Sequence, residues 1–155
     1  MYPTTKPLLL ARVLVIDDQP EVRKTISLML QTKGFEVEAV ESGHAGVRKF
    51  ESSHFDLAIV DIFMPGMDGA KLIKMLRMRA PNLPIVAISG VLLKASGRTA
   101  LDFLAMSPNL DNIVCLQKPF RPPQLMNAIS QAMSSQKPGV LQSASSCESL
   151  PATEL

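Results

Sequence analysis

The chain of 155 residues has no tryptophan, few aromatic residues and no excess of charge of one sign, with 16 Lys and Arg against 14 Asp and Glu. Direct binding of nucleic acid is therefore not expected, because there is neither a basic block nor aromatic interleaving. The apolar stretch LLLARVLVI is interrupted by Arg12 and falls well short of the roughly 20 residues that span a bilayer. It predicts the entry to a buried strand and no membrane segment.

Cysteine is also scarce, with Cys115 in an apolar run and Cys147 in a Ser-rich stretch. Two such residues do not make the disulfide framework of a small secreted protein, so we expect a reducing cytoplasm. The strand-like surroundings of Cys115 favour a buried, inert thiol, with a redox sensor as the alternative.

The length allows one domain with a hydrophobic core. We expect an N-terminal extension over residues 1–10, a globular domain over 11–133 and a disordered tail over 134–155. The tail is rich in Ser and Pro and poor in aromatic residues, a composition that cannot bury a core. A peptide that docks on a partner is the alternative interpretation of the tail.

Five short apolar runs predict strands at 12–17, 35–40, 55–61, 83–89 and 112–117. Segments with helical periodicity separate them, and the clearest runs from Pro20, which suits a first helical turn, to Gly34, which suits the position past the end. Strands alternating with helices predict a doubly wound α/β domain, with a parallel sheet of order 2-1-3-4-5 and helices on both faces. Only the segment 90–112 is irregular. Methionines recur in the helices and are expected to fill the core, at positions Met29, Met75, Met78, Met126 and Met133.

Polar side chains follow four of the predicted strands. Asp17 and Asp18 come after the first strand, Asp61 ends the third, Ser89 ends the fourth and Lys118 follows the fifth. In an open α/β sheet these carboxyl ends meet at the point where the strand order reverses, which is where ligands bind. Clustered carboxylates repel unless a cation compensates them, and Mg2+ takes oxygen ligands, including carboxylates and phosphate. The sequence therefore predicts a magnesium site at this edge.

The motifs VLVIDDQPEVR, IVDIFMPGMDG, AISG and LQKPF, in this order and spacing, resemble the receiver domains of two-component response regulators, which have a CheY-like fold. The resemblance covers residues 12–133. It implies that Asp61 accepts a phosphoryl group from a sensor histidine kinase or a histidine phosphotransfer protein. It also implies that Asp17 and Asp18 hold Mg2+ together with Asp61 and the backbone carbonyl of Phe63.

The same resemblance gives roles to the later motifs. Lys118 and the Ser89 hydroxyl would contact the phosphoryl group, and Pro119 would follow a cis peptide bond that aims Lys118 into the site. Ser89 and the residue at position 115 would form the switch. Receivers usually carry Tyr or Phe at that second position, whereas this chain has Cys115, so we expect rearrangement to centre on the segment 90–112.

The MPGMDG loop after Asp61 is expected to be structural, with Asp68 capping the third helix. In receiver domains, the residues at the positions of Phe63 and Val91 flank the path of the hydrolytic water. Apolar side chains cannot orient this water. We therefore expect a long-lived phosphorylated form.

Taken together, these features predict a stand-alone signalling module that is not an enzyme. It would contact a downstream protein through the face built from the fourth helix, the fifth strand and the last helix, and a homodimer is left open. The main alternative is a pseudo-receiver that docks or dimerises without phosphorylation. A Mg2+-dependent phosphohydrolase resembling the haloacid dehalogenases is disfavoured, because Phe63 occupies the place of the acid that such enzymes need.

Overall fold

The computed structural model describes residues 11–90 and 113–134. The predictions for the extension, for the tail from residue 135 and for most of the fourth connection, residues 91–112, lie outside the described residues. The strands are β1 Arg12–Ile16, β2 Glu36–Val40, β3 Leu57–Asp61, β4 Ile85–Ser89 and β5 Ile113–Gln117. The helices described are α1 Pro20–Thr32, α2 Gly43–Ser52, α3 Gly69–Arg79 and α4 Pro122–Ser134.

The sheet has the predicted order β2-β1-β3-β4-β5, and every neighbouring pair of strands is parallel. The central strand β3 is buried along its whole length, because helices cover both faces of the sheet. This arrangement confirms the doubly wound α/β fold. It also sets the end of β1 beside the end of β3, since Ile16 pairs with Val60.

Alternate residues of each strand enter two separate cores. One core contains Ile26 and Leu30 of α1 with Leu125 and Ile129 of α4, and the other contains side chains of α2 and α3. The period of two along a strand sends successive side chains to opposite faces, which is why one apolar run supplies both cores. Each helix therefore buries a single apolar stripe.

Local signals in the sequence set the helix ends. Pro20 is the first residue of α1, where its missing N–H costs nothing, and Gly34 adopts φ 91° just beyond the helix. At α3 the Asp68 carboxylate accepts a hydrogen bond from the Ala70 N–H at 3.0 Å, which confirms the predicted cap. Asp68 thereby satisfies one of the free N–H groups of the first turn.

Two residues expected in the interior lie nearer the surface. Met78 on α3 is 81% exposed, so it does not fill the core. Cys115 is half-buried rather than buried and packs against the core under α2 and α3. Ile113, Val114 and Leu116 of the same strand are buried, so the partial exposure is specific to the Cys115 position.

The loop between β3 and α3 is held at both ends by close packing against glycine. A Cβ atom on Gly69 would lie 2.4 Å from the Ile62 Cα atom, and one on Gly43 would lie 2.6 Å from the Met67 sulfur. Gly69 has no room for a side chain, because its neighbour is backbone, whereas a side chain at position 43 would displace the Met67 side chain. The loop that follows Asp61 is therefore fixed against both α2 and α3.

Candidate functional site

Three carboxylates meet at the carboxyl edge of the sheet, as predicted. Asp17 directly follows β1 and is fully buried, and Asp61 is the last residue of β3 and only 3% exposed. Asp18 is the least buried of the three. One oxygen from each carboxylate can be chosen such that all three lie within 4.8 Å of one another. Topology alone produces this cluster, because the parallel neighbours β1 and β3 end at the same level.

Lys118 supplies a positive charge to the cluster. Its Nζ atom lies 2.8 Å from Asp17 Oδ2 and 3.3 Å from Asp61 Oδ2, and its side chain is 16% exposed. The Lys118–Pro119 peptide bond is cis, as the resemblance implied. The Lys118 N–H donates to the Ser89 carbonyl at 2.8 Å, so β4 fixes the backbone from which the side chain reaches the two acids.

Backbone donors fix the two buried carboxylates. The Gln19 N–H donates to Asp17 Oδ1 at 2.8 Å, and the Phe63 N–H donates to Asp61 Oδ1 at 3.1 Å. Each carboxylate thus accepts a hydrogen bond from the backbone N–H two residues later in its own loop. This local turn is one that Asp favours. The remaining oxygen of each acid faces the shared space with Lys118.

Two contacts at the site were not predicted from the sequence. The Gln19 side-chain oxygen lies 3.4 Å from Lys118 Nζ, and an Arg23 N–H donates to the Asp17 carbonyl at 2.7 Å. Both residues stand within six positions of Asp17, at the beginning of α1. The sequence signal for both residues was their position in the motif DDQPEVR, where they follow Asp18 by one and five residues.

Asp61 and Lys118 alter each other's ionisation. The pKa of Asp61 is raised to about 6, mainly by burial and also by the Asp17 charge, although Lys118 and the Phe63 N–H act in the opposite direction. Burial lowers the pKa of Lys118, but the adjacent Asp17 and Asp61 carboxylates outweigh burial and raise it overall. Without a further cation, ionisation of Asp61 in this site therefore costs free energy.

The donor set fits Mg2+. Asp17 Oδ2 is buried and makes no hydrogen bond in the described part of the chain, because its contact with Lys118 is an ion pair outside hydrogen-bond angles. A buried oxygen in this state, beside two more carboxylates, is suited to a hard cation with oxygen ligands. Within residues 11–90 and 113–134, no nitrogen or sulfur ligand belongs to the cluster, which agrees with that choice.

The other predicted site residues occupy defined positions. Ser89 ends β4, one residue beyond Ile88, the partner of Asp61 in the sheet. Cys115 lies inside β5, opposite Ala87. The switch roles of Ser89 and Cys115 and the role of the Phe63 carbonyl as a ligand remain predictions, and Val91 lies outside the described residues.

A doubly wound parallel sheet with three carboxylates and a lysine at its switch point defines a CheY-like receiver domain. The sequence matches the response regulator receiver domain family over residues 13–130, and the chain belongs to this family. Receiver domains are signalling domains that bind Mg2+ through an acidic pocket and interact with histidine kinases or phosphotransfer proteins.

Named relatives agree with this assignment. The chain is 33% identical to the response regulator protein FleR of Pseudomonas aeruginosa, over 83% of this chain and 26% of FleR. It is 39% identical to the sensor protein GacS of Pseudomonas syringae, over 50% of this chain and 9% of GacS. The chain thus spans about a quarter or less of the length of these two relatives.

Solved structures show the same fold. A response regulator receiver protein from Sinorhizobium medicae is 30% identical and superposes with a TM-score of 0.69, over 83% of this chain and 98% of that one. The chemotaxis protein CheY4 of Vibrio cholerae is 28% identical with a TM-score of 0.70, over 79% and 98%. In the part of the chain that the structure describes, no helix is both long and apolar enough to span a membrane.

Proposed function

We propose that Asp61 is the phosphoacceptor of this receiver, that Asp17 and Asp18 hold Mg2+ with Asp61 and the Phe63 carbonyl, and that Lys118 and Ser89 contact the phosphoryl group. One observation carries the proposal. The carboxylates of three separate positions approach within 4.8 Å, and the Lys118 ammonium lies within 3.3 Å of two of them.

The chemistry follows from the balance of charge at the site. The donor is a phosphohistidine, whose P–N bond breaks as a P–O bond forms to an Asp61 oxygen, and the departing imidazole nitrogen keeps the electron pair and takes a proton from water. Bound Mg2+ would neutralise charge on the phosphoryl oxygens. Lys118 would hold a second oxygen as a point charge, and the Ser89 hydroxyl would donate to a third.

The surroundings of the acids distinguish Asp61 from Asp17. The Asp17 carboxylate has no exposed surface and lies 2.8 Å from both the Gln19 N–H and the Lys118 ammonium. Asp61 Oδ2 is contacted less closely, at 3.3 Å, and its strand ends at the middle of the sheet edge, between β1 and β4. An incoming phosphorus atom can therefore approach Asp61 from the open edge of the sheet more readily than Asp17.

We further propose that the receiver domain covers residues 11–133, which the family match over 13–130 supports. The phosphorylated domain would act by binding a downstream protein or by passing the group along a relay. The face that includes β5 and α4 is the proposed contact, with Ser89 and Cys115 as switch residues. The cytoplasmic location and the homodimer stay predictions.

The test is incubation with phosphoramidate and MgCl2, followed by intact-mass analysis and peptide mapping. We expect the wild-type chain to gain one phosphoryl group, carried on the peptide that contains Asp61, and Asp61→Asn to gain none. Asp68→Asn is the matched control, because it removes a nearby exposed carboxylate while Asn still caps α3. A wild-type chain without the adduct would refute the proposal and favour the pseudo-receiver.

A further inference from the structure

We propose that Gln19 is a positioning residue that holds the Lys118 ammonium at the mouth of the phosphorylation site. This inference rests on the proposed function of Asp61 and Lys118. It starts from the 3.4 Å contact between the Gln19 side-chain oxygen and Lys118 Nζ, which joins positions 99 residues apart in the chain.

The number of hydrogen-bond partners supports this role. An ammonium group has three N–H donors, and three acceptor oxygens surround Lys118 Nζ among the described residues. They are Asp17 Oδ2 at 2.8 Å, Asp61 Oδ2 at 3.3 Å and Gln19 Oε1 at 3.4 Å. Asp17 contributes an ion pair, whereas Asp61 and Gln19 accept the hydrogen bonds of the ammonium. Gln19 is therefore the neutral member of the two hydrogen-bond acceptors.

Gln19 differs from the other two acceptors in charge and in position. Asp17 and Asp61 carry the oxygens that a bound cation and a phosphoryl group would engage, whereas the Gln19 amide is neutral and its contact with Lys118 is exposed. Lysine has a flexible stem and can withdraw into solvent when its charged partners are occupied. Gln19 is the acceptor that remains available, so it would keep the ammonium close to the reacting group.

The backbone around Gln19 prepares it for this contact. Its N–H is bonded to Asp17 Oδ1 at 2.8 Å, which fixes the residue beside the acid cluster. Gln19 is the N-cap residue of α1, but its side chain makes no capping hydrogen bond, unlike the side chains usually found there. The amide is therefore directed to Lys118, and replacing it removes no cap.

The experiment measures how far the effect of Gln19 depends on Lys118. Phosphorylation rates with phosphoramidate at saturating MgCl2 are compared for wild type, Gln19→Leu, Lys118→Met and the double variant. We expect Gln19→Leu to slow the reaction roughly three- to tenfold, the range for one ordinary hydrogen bond, and to have no effect once Lys118 is Met.

A second readout needs no magnesium and no phosphodonor. In EDTA, the Lys118 ammonium signal in a proton–nitrogen spectrum should be visible in wild type and weakened by faster hydrogen exchange in Gln19→Leu. Gln31→Leu, an exposed change of the same kind on the same helix, is the matched control and should alter neither readout.

The outcomes separate the two proposals. A wild-type chain that takes no phosphoryl group refutes the proposed function and the positioning role together. A phosphorylated wild type that reacts no faster than Gln19→Leu, or an equal loss in the Lys118→Met background, refutes the positioning role alone.

Discussion

Removing the charge of Asp61 is expected to stabilise the metal-free fold at neutral pH. The pKa of Asp61 is about 6 in the folded chain, against an ordinary value of 3.8. This difference of roughly two pH units corresponds to about 3 kcal/mol. Below pH 3.8 the carboxyl group is neutral in both states and costs nothing. Between pH 3.8 and about 6 the unfolded chain ionises this group while the folded chain keeps it protonated, so the fold loses stability through this window and the full loss is reached above pH 6.

The measurement is urea unfolding of wild type and Asp61→Asn in EDTA between pH 4 and pH 8. Because the chain has no tryptophan, helix content by circular dichroism is the suitable signal. Asp61→Asn should match wild type near pH 4 and exceed it by up to about 3 kcal/mol at pH 8. Glu41→Gln, an exposed carboxylate after β2, is the control and should stay within about 0.5 kcal/mol of wild type. A stability difference for Asp61→Asn that does not grow with pH would refute the reasoning.

Three further predictions concern the cation, the lifetime of the phosphoryl group and the packing of the loop. Lys118→Met should bind Mg2+ roughly three- to tenfold more tightly in titration calorimetry, because the ammonium no longer competes for the carboxylate oxygens; weaker binding would contradict this. Phe63→Asn should lose a phosphoryl label several-fold faster than wild type, because an amide can orient water and a phenyl ring cannot; an unchanged lifetime would contradict it. Gly69→Ala should cost at least about 2 kcal/mol in urea unfolding, because its Cβ would lie 2.4 Å from the Ile62 Cα. Gly90→Ala, where a Cβ atom would meet no atom of the described residues within 4 Å, is its control, and equal losses in both variants would count against the packing argument.

Much of the fold and of the acid cluster follows from local signals in the sequence. Apolar runs, Pro20 at a helix start and Gly34 at a helix end fix the alternation of strands and helices, and this alternation specifies a parallel sheet. Since parallel strands end at one edge, the approach of Asp17 to Asp61 follows from topology. No side-chain geometry is needed for that step.

The features that sequence reasoning missed are a contact between distant segments and the exposure of single residues. The Gln19 contact with Lys118 joins segments 99 residues apart, and a glutamine is too common to signal it. Cys115 is half-buried, whereas the run NIVCLQ by itself is typical of an interior strand and does not distinguish this position from its buried neighbours. Met78 is apolar, as core residues usually are, but its side chain faces solvent on α3.

The packing of Gly69 against Ile62 and of Met67 against Gly43 has a mechanical consequence for signalling. One wall of the pocket around Asp61 is closely packed, since a Cβ atom on Gly69 would lie 2.4 Å from the Ile62 Cα atom. We expect an added phosphoryl group to be accommodated by displacement of the opposite wall, where Ser89 and Lys118 lie. The direction in which the pocket moves on phosphorylation would thus depend on which of its walls is more closely packed, before any partner is present.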